Sequence, residues 1–459
     1  MLKAFIGDRA FYKRVILLML PIMVQNGITN FVNMLDNIMI GAVGTAQMTG
    51  VAVSNQLIFV FNLCIFGAVS GAGIFGTQFF GNGDHEGVRH TFRFKFLFCG
   101  LITALGILLF AFYGEPLLKL YMQGDQGVTD AATTLHYARS YLSIMLIGLL
   151  PYTIVQCYSS TLRESANPTP PMAAGVAAVL VNLVLNYILI FGKFGAPVLG
   201  VNGAAIATVI SRFVELGIIV FWTHIDKETF SFMRGVYRSL YVPRKRMAQL
   251  FINGLPLMIN ETLWAAGIAL VNQCYSMRGL DAVAAGNISQ TFWNVFSIAY
   301  MAVGNTVGII IGQTLGAGKL KEAKETSYRM ISFAFMIAVC IGVIYSFCAE
   351  FIPLAYNTEP EIRELATLLM RITALTMPFE ALTHATYFTL RSGGKMIITL
   401  IFDSGFVWCV NVVLAVILSR FTAMPFVWMF AAVHFTCILK ATFGLILVRK
   451  GGWIRNIVN

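Results

Sequence analysis

The run VILLMLPIMVQNGITNFVNMLDNIMI occupies residues 15–40 and carries one charged side chain, Asp36. It is longer than the roughly 20 residues that an α-helix needs to cross about 30 Å of hydrocarbon. A backbone in lipid must satisfy its own hydrogen bonds, and a single apolar run can do so only as a helix. The run therefore predicts a transmembrane helix with a carboxylate at membrane depth.

Similar apolar runs continue through the rest of the chain. Of the 459 residues, 58% are hydrophobic and 12% are charged, whereas a soluble domain carries roughly 25% charged residues. The predicted spans are residues 15–40, 50–80, 92–113, 137–160, 168–192, 199–224, 248–277, 284–316, 327–352, 366–391, 396–419 and 425–448. The sequence thus predicts an all-α polytopic membrane protein with twelve transmembrane helices.

Basic residues concentrate in the loops on one side of these spans. If the N-terminus is cytoplasmic, the inner side holds Arg89, Arg93, Lys95, Arg163, Lys227, Arg234, Arg238, Arg244, Lys245, Arg246, Lys319, Lys321, Lys324, Arg329, Arg391, Lys395, Arg449, Lys450 and Arg455. This distribution follows the positive-inside rule and predicts two cytoplasmic termini in the plasma (inner) membrane. We therefore attribute the net charge of +11 to topology and to contact with membrane lipids, not to a nucleic-acid partner.

The two halves of the chain repeat each other. A shift of 235 positions places QFFGNG (residues 78–83) on QTLGAG (residues 313–318), and a shift of 228 places Leu162-Arg163 on Leu390-Arg391. We predict two pseudo-symmetric six-helix lobes: an N-lobe of residues 1–224, a basic cytoplasmic linker of residues 225–247, and a C-lobe of residues 248–459. Repeats of this kind are typical of transporters, whose substrate sites lie at or beside the repeat interface.

The first span has a polar stripe that ends at Asp36. At about 100° per residue, its polar side chains fall within roughly 140° of arc; they are Gln25, Asn26, Thr29, Asn30, Asn33, Asp36 and Asn37. An intramembrane acid is a candidate functional residue by default. The alternatives are an ion pair with a buried arginine and a cap on a broken helix. The repeat places Asp36 on Val271, so the acid is confined to one lobe. This favours ion coupling over packing.

Several motifs together resemble the MATE (multidrug and toxic compound extrusion) family. They are Leu20-Pro21, Asp36 with Gly41-Ala-Val-Gly44, Gln78-x-x-Gly81-x-Gly83, Leu162-Arg163, Gly200-Val-Asn-Gly-Ala-Ala and Leu390-Arg391-x-Gly-Gly. The resemblance spans all twelve predicted helices. It implies antiport, in which a proton or sodium ion enters while a small amphipathic or cationic compound leaves.

The resemblance also implies an ion-coupling site in the N-lobe. The matching positions are Asp36, Asn182, Asn186 and Thr208, with Asn186 an amide where a second acid is expected. One carboxylate gives the site at most one negative charge, so we predict proton coupling, with sodium at Asp36 as the alternative. A second departure from the family pattern is Ala166, at a position where glycine is usual.

Polar residues on other spans are candidates for the substrate cavity. We select Asn33, Glu261, Gln290, Glu380 and His384. The family's C-lobe acids are not matched residue for residue. Glu380 has the alternative of pairing with His384 or Arg391. For Asp403, near the predicted start of its helix, we favour an interaction with the helix N-terminus over substrate binding.

Other functions fit the sequence less well. A flippase for lipid-linked saccharide or lipid precursors, from the same superfamily, is the alternative, and a large basic cavity would favour it. HExxH, GxSxG and phosphate-loop motifs are absent from the sequence, so we predict no enzyme activity. We expect a monomer without a cofactor, whose partners are its small substrates and membrane lipids.

Overall fold

The computed structural model describes residues 6–122, 131–356 and 358–458, and the regular structure in these ranges is helical. Within these ranges, twelve helices are long and apolar enough to cross a membrane. The predicted all-α class and the number of spans are therefore confirmed. The helices generally extend beyond the apolar runs because polar residues continue them; the first begins at Arg9 rather than at residue 15.

The helices of the first half are α1 (Arg9–Gly41), α2 (Thr45–Gly81), α3 (His85–Met122), α4 (Ala131–Glu164), α5 (Thr169–Phe191) and α6 (Val201–Ile225). Those of the second half are α7 (Arg244–Ser276), α8 (Leu280–Phe296), α9 (Ile298–Gly316), α10 (Leu320–Cys348), α11 (Pro360–Ser392), α12 (Met396–Leu400), α13 (Val413–Phe421) and α14 (Phe426–Lys450). Short 3-10 segments lie at Lys193–Gly195, Ser231–Met233, Val236–Arg238 and Ile352–Ala355.

Two predicted spans are less regular than their apolar patterns indicated. The run at residues 284–316 is not one helix, because α8 and α9 meet at Ser297. Between α12 and α13, the segments Ile401–Gly405 and Val407–Val412 are π-helical. A π-helical turn contains an extra residue, which shifts the direction of the side chains, and such turns are frequent at functional sites.

Backbone contacts divide the chain into two compact units. The C-terminal unit contains Met1–Met23, Thr77–Asp84 and Leu255–Asn459, and the N-terminal unit contains Val24–Gly76 and His85–Gly254. The residues that we predicted as a linker, 225–247, belong to the N-terminal unit. They are held there by Arg93, whose guanidinium group donates to the carbonyl groups of Val236 at 2.8 Å and Gly235 at 3.2 Å.

The repeated QFFGNG and QTLGAG motifs meet inside the C-terminal unit. A Cβ atom added to Gly81 would lie 2.6 Å from the Cα of Gln313, and one added to Gly316 would lie 2.7 Å from the Cα of Gln78. Each motif thus places its glycine against the backbone of the other. Small residues permit such close approach between helices in a membrane.

In both motifs, the second glycine follows the end of a helix and has the same backbone conformation. Gly83 and Gly318 both adopt a left-handed backbone with φ of 75°. At the end of α4, Ala166 takes the corresponding conformation with φ of 60°, and the Asn167 N–H donates to the Leu162 carbonyl at 2.8 Å. This is the Schellman ending, in which glycine is usual because it has no Cβ penalty. Ala166, the departure noted in the sequence, occupies the strained position.

Candidate functional site

A cluster of polar side chains joins α1, α5 and α6 in the N-terminal unit. Asn182 and Asn186 lie one turn apart on α5, so both face the same side, and both are buried. The Asn186 Nδ2 donates to Asp36 Oδ1 at 2.6 Å and lies 3.1 Å from Asn182 Oδ1. The amide of Asn182 also lies 3.2 Å from the hydroxyl of Thr208. The structure therefore brings together all four residues that the family resemblance implied for ion coupling.

The orientation of the Asn182 amide strengthens this cluster. Turning the amide by 180° places its nitrogen 3.1 Å and 3.2 Å from the two oxygens of Asp36, with its oxygen toward Thr208. Amide orientation is assigned from the hydrogen-bond network, and this orientation replaces a contact between two acceptors with a hydrogen bond. Asp36 is then held by two amide groups, in exchange for the hydrogen bond between Asn186 and Asn182. Its described hydrogen-bond partners are amides and not an arginine, contrary to the ion-pair alternative.

This cluster offers one negative charge among neutral polar groups. In the part of the chain that the structure describes, Asn186 Oδ1 is buried without a hydrogen-bond partner. No group of three or more His, Cys, Asp or Glu side chains suited to a metal ion is found among the described residues. Chemically, the cluster is able to exchange one proton at Asp36 or to hold one small cation against the carboxylate and an amide oxygen. Its role in coupling stays a prediction.

Two of the predicted cavity residues, Glu261 and Glu380, lie in separate hydrogen-bonded groups of the C-terminal unit. Glu261 on α7 accepts a hydrogen bond of 2.9 Å from the hydroxyl of Tyr387 on α11. Glu380 on α11 accepts from Trp293 Nε1 at 3.0 Å and from the Tyr300 hydroxyl at 3.1 Å. Both carboxylates are thus positioned by aromatic hydrogen-bond donors.

The alternative in which Glu380 pairs with His384 or Arg391 is wrong. Besides its two aromatic donors, Glu380 lies 3.8 Å from Nδ1 of His434 on α14. Its partners come from α8, α9 and α14 because these helices pack around this face of α11. A pairing along its own helix would have required the side chain to point away from them.

The remaining cavity candidates have different surroundings. The ring of His384 packs edge-to-face against Phe388, with 5.0 Å between centroids. Gln290 is exposed, and its amide donates to Asn294 at 3.1 Å. Asn33 belongs to α1, but its side chain lies outside the described part of the structure. The membership of these residues in one substrate cavity stays a prediction.

The interpretation of Asp403 as a partner of a helix N-terminus is wrong. Asp403 lies in the π-helical segment Ile401–Gly405, past the first turn of its span, which begins at Met396. Its Oδ1 pairs with Lys440 Nζ at 2.7 Å, and its Oδ2 accepts from Asn260 Nδ2 at 2.9 Å. The carboxylate therefore interacts with side chains of α7 and α14 rather than with free backbone N–H groups.

Sequence reasoning missed a second ion pair, within the N-terminal unit. Lys95 was placed in a cytoplasmic loop, but its side chain is fully buried and its Nζ lies 2.7 Å and 2.6 Å from the two oxygens of Glu164. Ser160 and Thr161 accept further hydrogen bonds from the same ammonium group at 2.9 Å and 3.2 Å. The available signal was the position of Lys95 within the apolar run 92–113, because a charge at membrane depth needs a partner.

The described residues contain twelve helices long and apolar enough to span a membrane, with buried polar clusters on them, and this combination is typical of a multi-pass membrane transporter. The comparison with known families agrees with this class. The chain belongs to the MatE family, whose model matches residues 21–188 and 256–417. The predicted resemblance is confirmed. Members of this family are transporters that need no cofactor, so the prediction that the chain is not an enzyme is also confirmed.

Two curated relatives are similar over most of the chain. The probable multidrug resistance protein NorM of Thermotoga maritima is 24% identical over 97% of this chain and 94% of its own length. The multidrug resistance protein MdtK of Pectobacterium atrosepticum is 26% identical over 78% of this chain and 77% of its own. These identities indicate distant relatives within one family.

Solved structures show the same fold. An outward-facing multidrug resistance MATE family transporter of the MOP superfamily superposes with a TM-score of 0.86 at 17% identity, over 98% of this chain and 97% of the other. A MOP superfamily transporter from Pyrococcus furiosus, described as having a binding pocket of reverse polarity, superposes with a TM-score of 0.81 at 16% identity, over 98% and 97%. At these identities the likeness concerns the fold alone.

Proposed function

We propose that this chain is a multidrug efflux transporter of the inner membrane that exports small amphipathic or cationic compounds in exchange for protons. Both termini are cytoplasmic, and the two lobes provide alternating access. The names of the relatives NorM and MdtK support multidrug resistance as the function. The observation that carries the coupling is the Asp36 carboxylate, held at membrane depth by Asn186 at 2.6 Å.

The geometry around Asp36 favours a proton over sodium as the coupling ion. Asn186 directs an N–H group at the carboxylate, and Asn182 does the same in its better-bonded orientation. N–H donors repel a cation, whereas sodium requires several oxygen atoms that point toward it. A proton needs only the carboxylate oxygen. Sodium bound at Asp36 remains the alternative, with the unpartnered oxygen of Asn186 as one further ligand.

Protonation of Asp36 has a direct mechanical consequence. A hydrogen bond from an amide to an ionised carboxylate is roughly twice as strong as one between neutral groups. Proton uptake removes the charge and weakens the bonds that hold α1 to α5, and proton release restores them. Binding and release of one proton at Asp36 therefore weaken and restore the attachment of α1 to α5 in the N-terminal unit.

A flippase for lipid-linked saccharide or lipid precursors is the second candidate. One observation favours it: two cations, Arg391 and the Asp403-paired Lys440, are buried in the C-terminal unit at 7% and 8% exposure. Such cations suit the phosphate groups of lipid precursors. The acids Glu261 and Glu380 in the same unit favour a cationic compound instead, and we therefore retain drug efflux as the proposal.

The test uses purified full-length protein in proteoliposomes loaded with a fluorescent monocation. A pH gradient and a sodium gradient are applied separately, and efflux is followed by the dye signal. We expect the pH gradient alone to drive efflux, and Asp36→Asn to abolish the response. Asp226→Asn, the same exchange beyond the end of α6, serves as the matched control. Efflux driven by sodium without response to pH would contradict proton coupling, and headgroup translocation without dye efflux would favour the flippase.

A further inference from the structure

A continuous hydrogen-bonded chain crosses the C-terminal unit from Lys440 to Glu261. Lys440 Nζ lies 2.7 Å from Asp403 Oδ1, and Asp403 Oδ2 accepts from Asn260 Nδ2 at 2.9 Å. The same amide nitrogen lies 3.3 Å from the hydroxyl oxygen of Tyr387, which donates to Glu261 at 2.9 Å. We call these five residues the polar chain. It links α14, the π-helical segment, α7 and α11.

The central member of the polar chain is fixed in orientation. Asn260 is fully buried, and its Oδ1 accepts a hydrogen bond of 2.8 Å from the hydroxyl of Ser404. The one hydroxyl proton of Ser404 has the Asn260 backbone carbonyl, at 2.7 Å, as its alternative acceptor, and the Ser404 backbone N–H also donates to Asn260 Oδ1 at 3.3 Å. With its oxygen occupied by Ser404, the amide must direct its nitrogen toward Asp403 and Tyr387. The adjacent residues Asp403 and Ser404 both reach Asn260 because the π-helical turn shifts their directions.

The outer end of the polar chain is a buried ion pair. Lys440 is 8% exposed, and its ammonium nitrogen lies 5.5 Å from the ring centroid of Phe402 and 5.9 Å from that of Phe406. An aromatic face attracts a cation and helps to hold it in place. Removing one partner of a buried pair leaves the other charge uncompensated, which is costly. Lys440 and Asp403 thus depend on each other.

We infer that Lys440 and Asp403 are positioning residues that set how strongly Glu261 attracts a cationic substrate. The ion pair holds Asp403 against Asn260, Asn260 orients the hydroxyl group of Tyr387, and Tyr387 donates to Glu261. The inference rests on the proposed function, because it requires that the substrate's cationic group binds near Glu261. It adds two residues to the determinants of substrate choice.

Substitutions of Lys440 and of Asp403 change the local charge in opposite directions. Lys440→Met leaves an unpaired anion in the polar chain, whereas Asp403→Asn leaves an unpaired cation. Charged groups interact more strongly in a protein interior than in water because the effective dielectric constant is lower there. The first change should therefore increase the preference for a cation over a neutral compound, and the second should reduce it. We expect shifts of about five- to tenfold in the ratio of the two dissociation constants.

The experiment measures equilibrium binding of a fluorescent monocation and of a neutral analogue to the purified full-length protein. Transport of both compounds is then measured in proteoliposomes. The variants are Lys440→Met, Asp403→Asn, their double combination, and the conservative Lys440→Arg. We expect opposite shifts for the two single variants, and near wild-type ratios for the double and for Lys440→Arg. If the two residues have a purely structural role, each single variant will weaken the binding of both compounds together and leave the ratio of their dissociation constants unchanged. That result would overturn the inference.

A second series of variants tests whether the effect of Lys440 on cation binding near Glu261 is transmitted through the polar chain. Tyr387→Phe removes the hydroxyl group that joins Asn260 to Glu261. Lys440→Met should then shift the ratio far less in the Tyr387→Phe background than in the wild type. An equal shift in both backgrounds would overturn the positioning role, because the charge would be acting through space alone. If the binding ratios shift as expected but no compound is transported, the proposed function fails while the inference about Glu261 stands.

Discussion

Asn186 Nδ2 lies 2.6 Å from Asp36 Oδ1, so an amide on α5 is hydrogen-bonded to the one carboxylate of α1. The neutral partner limits the cluster to a single negative charge. Asn182 is the second amide in reach of the same carboxylate. We therefore expect the identity of residue 186 to influence which cation the cluster prefers.

Asn186→Asp should shift coupling toward sodium. Two carboxylates within hydrogen-bonding distance cannot both ionise readily unless a cation lies between them. We expect sodium-stimulated efflux to appear in the variant, measured in proteoliposomes under a sodium gradient at constant pH. Asn287→Asp, the same exchange at an exposed position of α8, is the control and should show no sodium response. An unchanged ion preference in Asn186→Asp would contradict the assignment of the cluster as the coupling site.

Glu380→Gln should reduce transport of a monocation more than transport of a neutral analogue. The amide keeps the size of the side chain and one oxygen to accept from Trp293 or Tyr300, but it removes the charge that attracts a cation. The initial rates of both compounds are compared in proteoliposomes. Glu361→Gln, at the exposed beginning of the same helix, is the control. Equal losses for the two compounds would assign Glu380 to structure alone.

Lys95→Met should strongly destabilise the N-terminal unit. Glu164 would keep its charge while losing the ammonium group 2.6 Å away, and breaking a buried pair costs about 3–5 kcal/mol. Glu164→Gln should be destabilising for the same reason, whereas the double variant should recover much of the loss. The measurement is the temperature at which the purified protein loses its monodisperse elution in detergent. A double variant as unstable as the singles would show that the surrounding hydroxyl groups, not the pair, require the charges.

Ala166→Gly should stabilise the end of α4. A left-handed conformation costs an alanine roughly 1–2 kcal/mol, and the greater freedom of glycine in the unfolded chain offsets about 0.4–1 kcal/mol of that. We expect a net gain of about 0.5–1 kcal/mol, detected by thermal unfolding. Gly83→Ala is the matched control, because an added Cβ there meets no heavy atom within 4 Å and the φ of 75° is the main penalty. It should lose stability, and a loss in Ala166→Gly would refute the strain argument.

The number of spans could be predicted because the length of an apolar run is a local property. The break at Ser297 and the π-helical segments could not, since they depend on packing between helices. In the polar cluster, the one-turn spacing of Asn182 and Asn186 is visible in the sequence, but their approach to Asp36 came from the family resemblance. The pairing alternative for Glu380 and the helix N-terminus interpretation of Asp403 were wrong because the partners of both carboxylates lie on other helices. A charged residue inside an apolar run signals that a partner exists, but not which one.

The reciprocal contact of Gly81 and Gly316 has the symmetry of a homodimer. Each copy of the motif meets the backbone of the other, as identical surfaces do across a two-fold axis. A half-length chain with one such motif would make this contact with a second copy of itself, and a single substitution of its glycine would introduce two clashes at once. In one chain that contains two copies of the motif, a substitution changes only one of the two glycines and introduces only one clash. In the single chain each glycine is therefore required separately, because a side chain at either position alone would meet the backbone of the other motif.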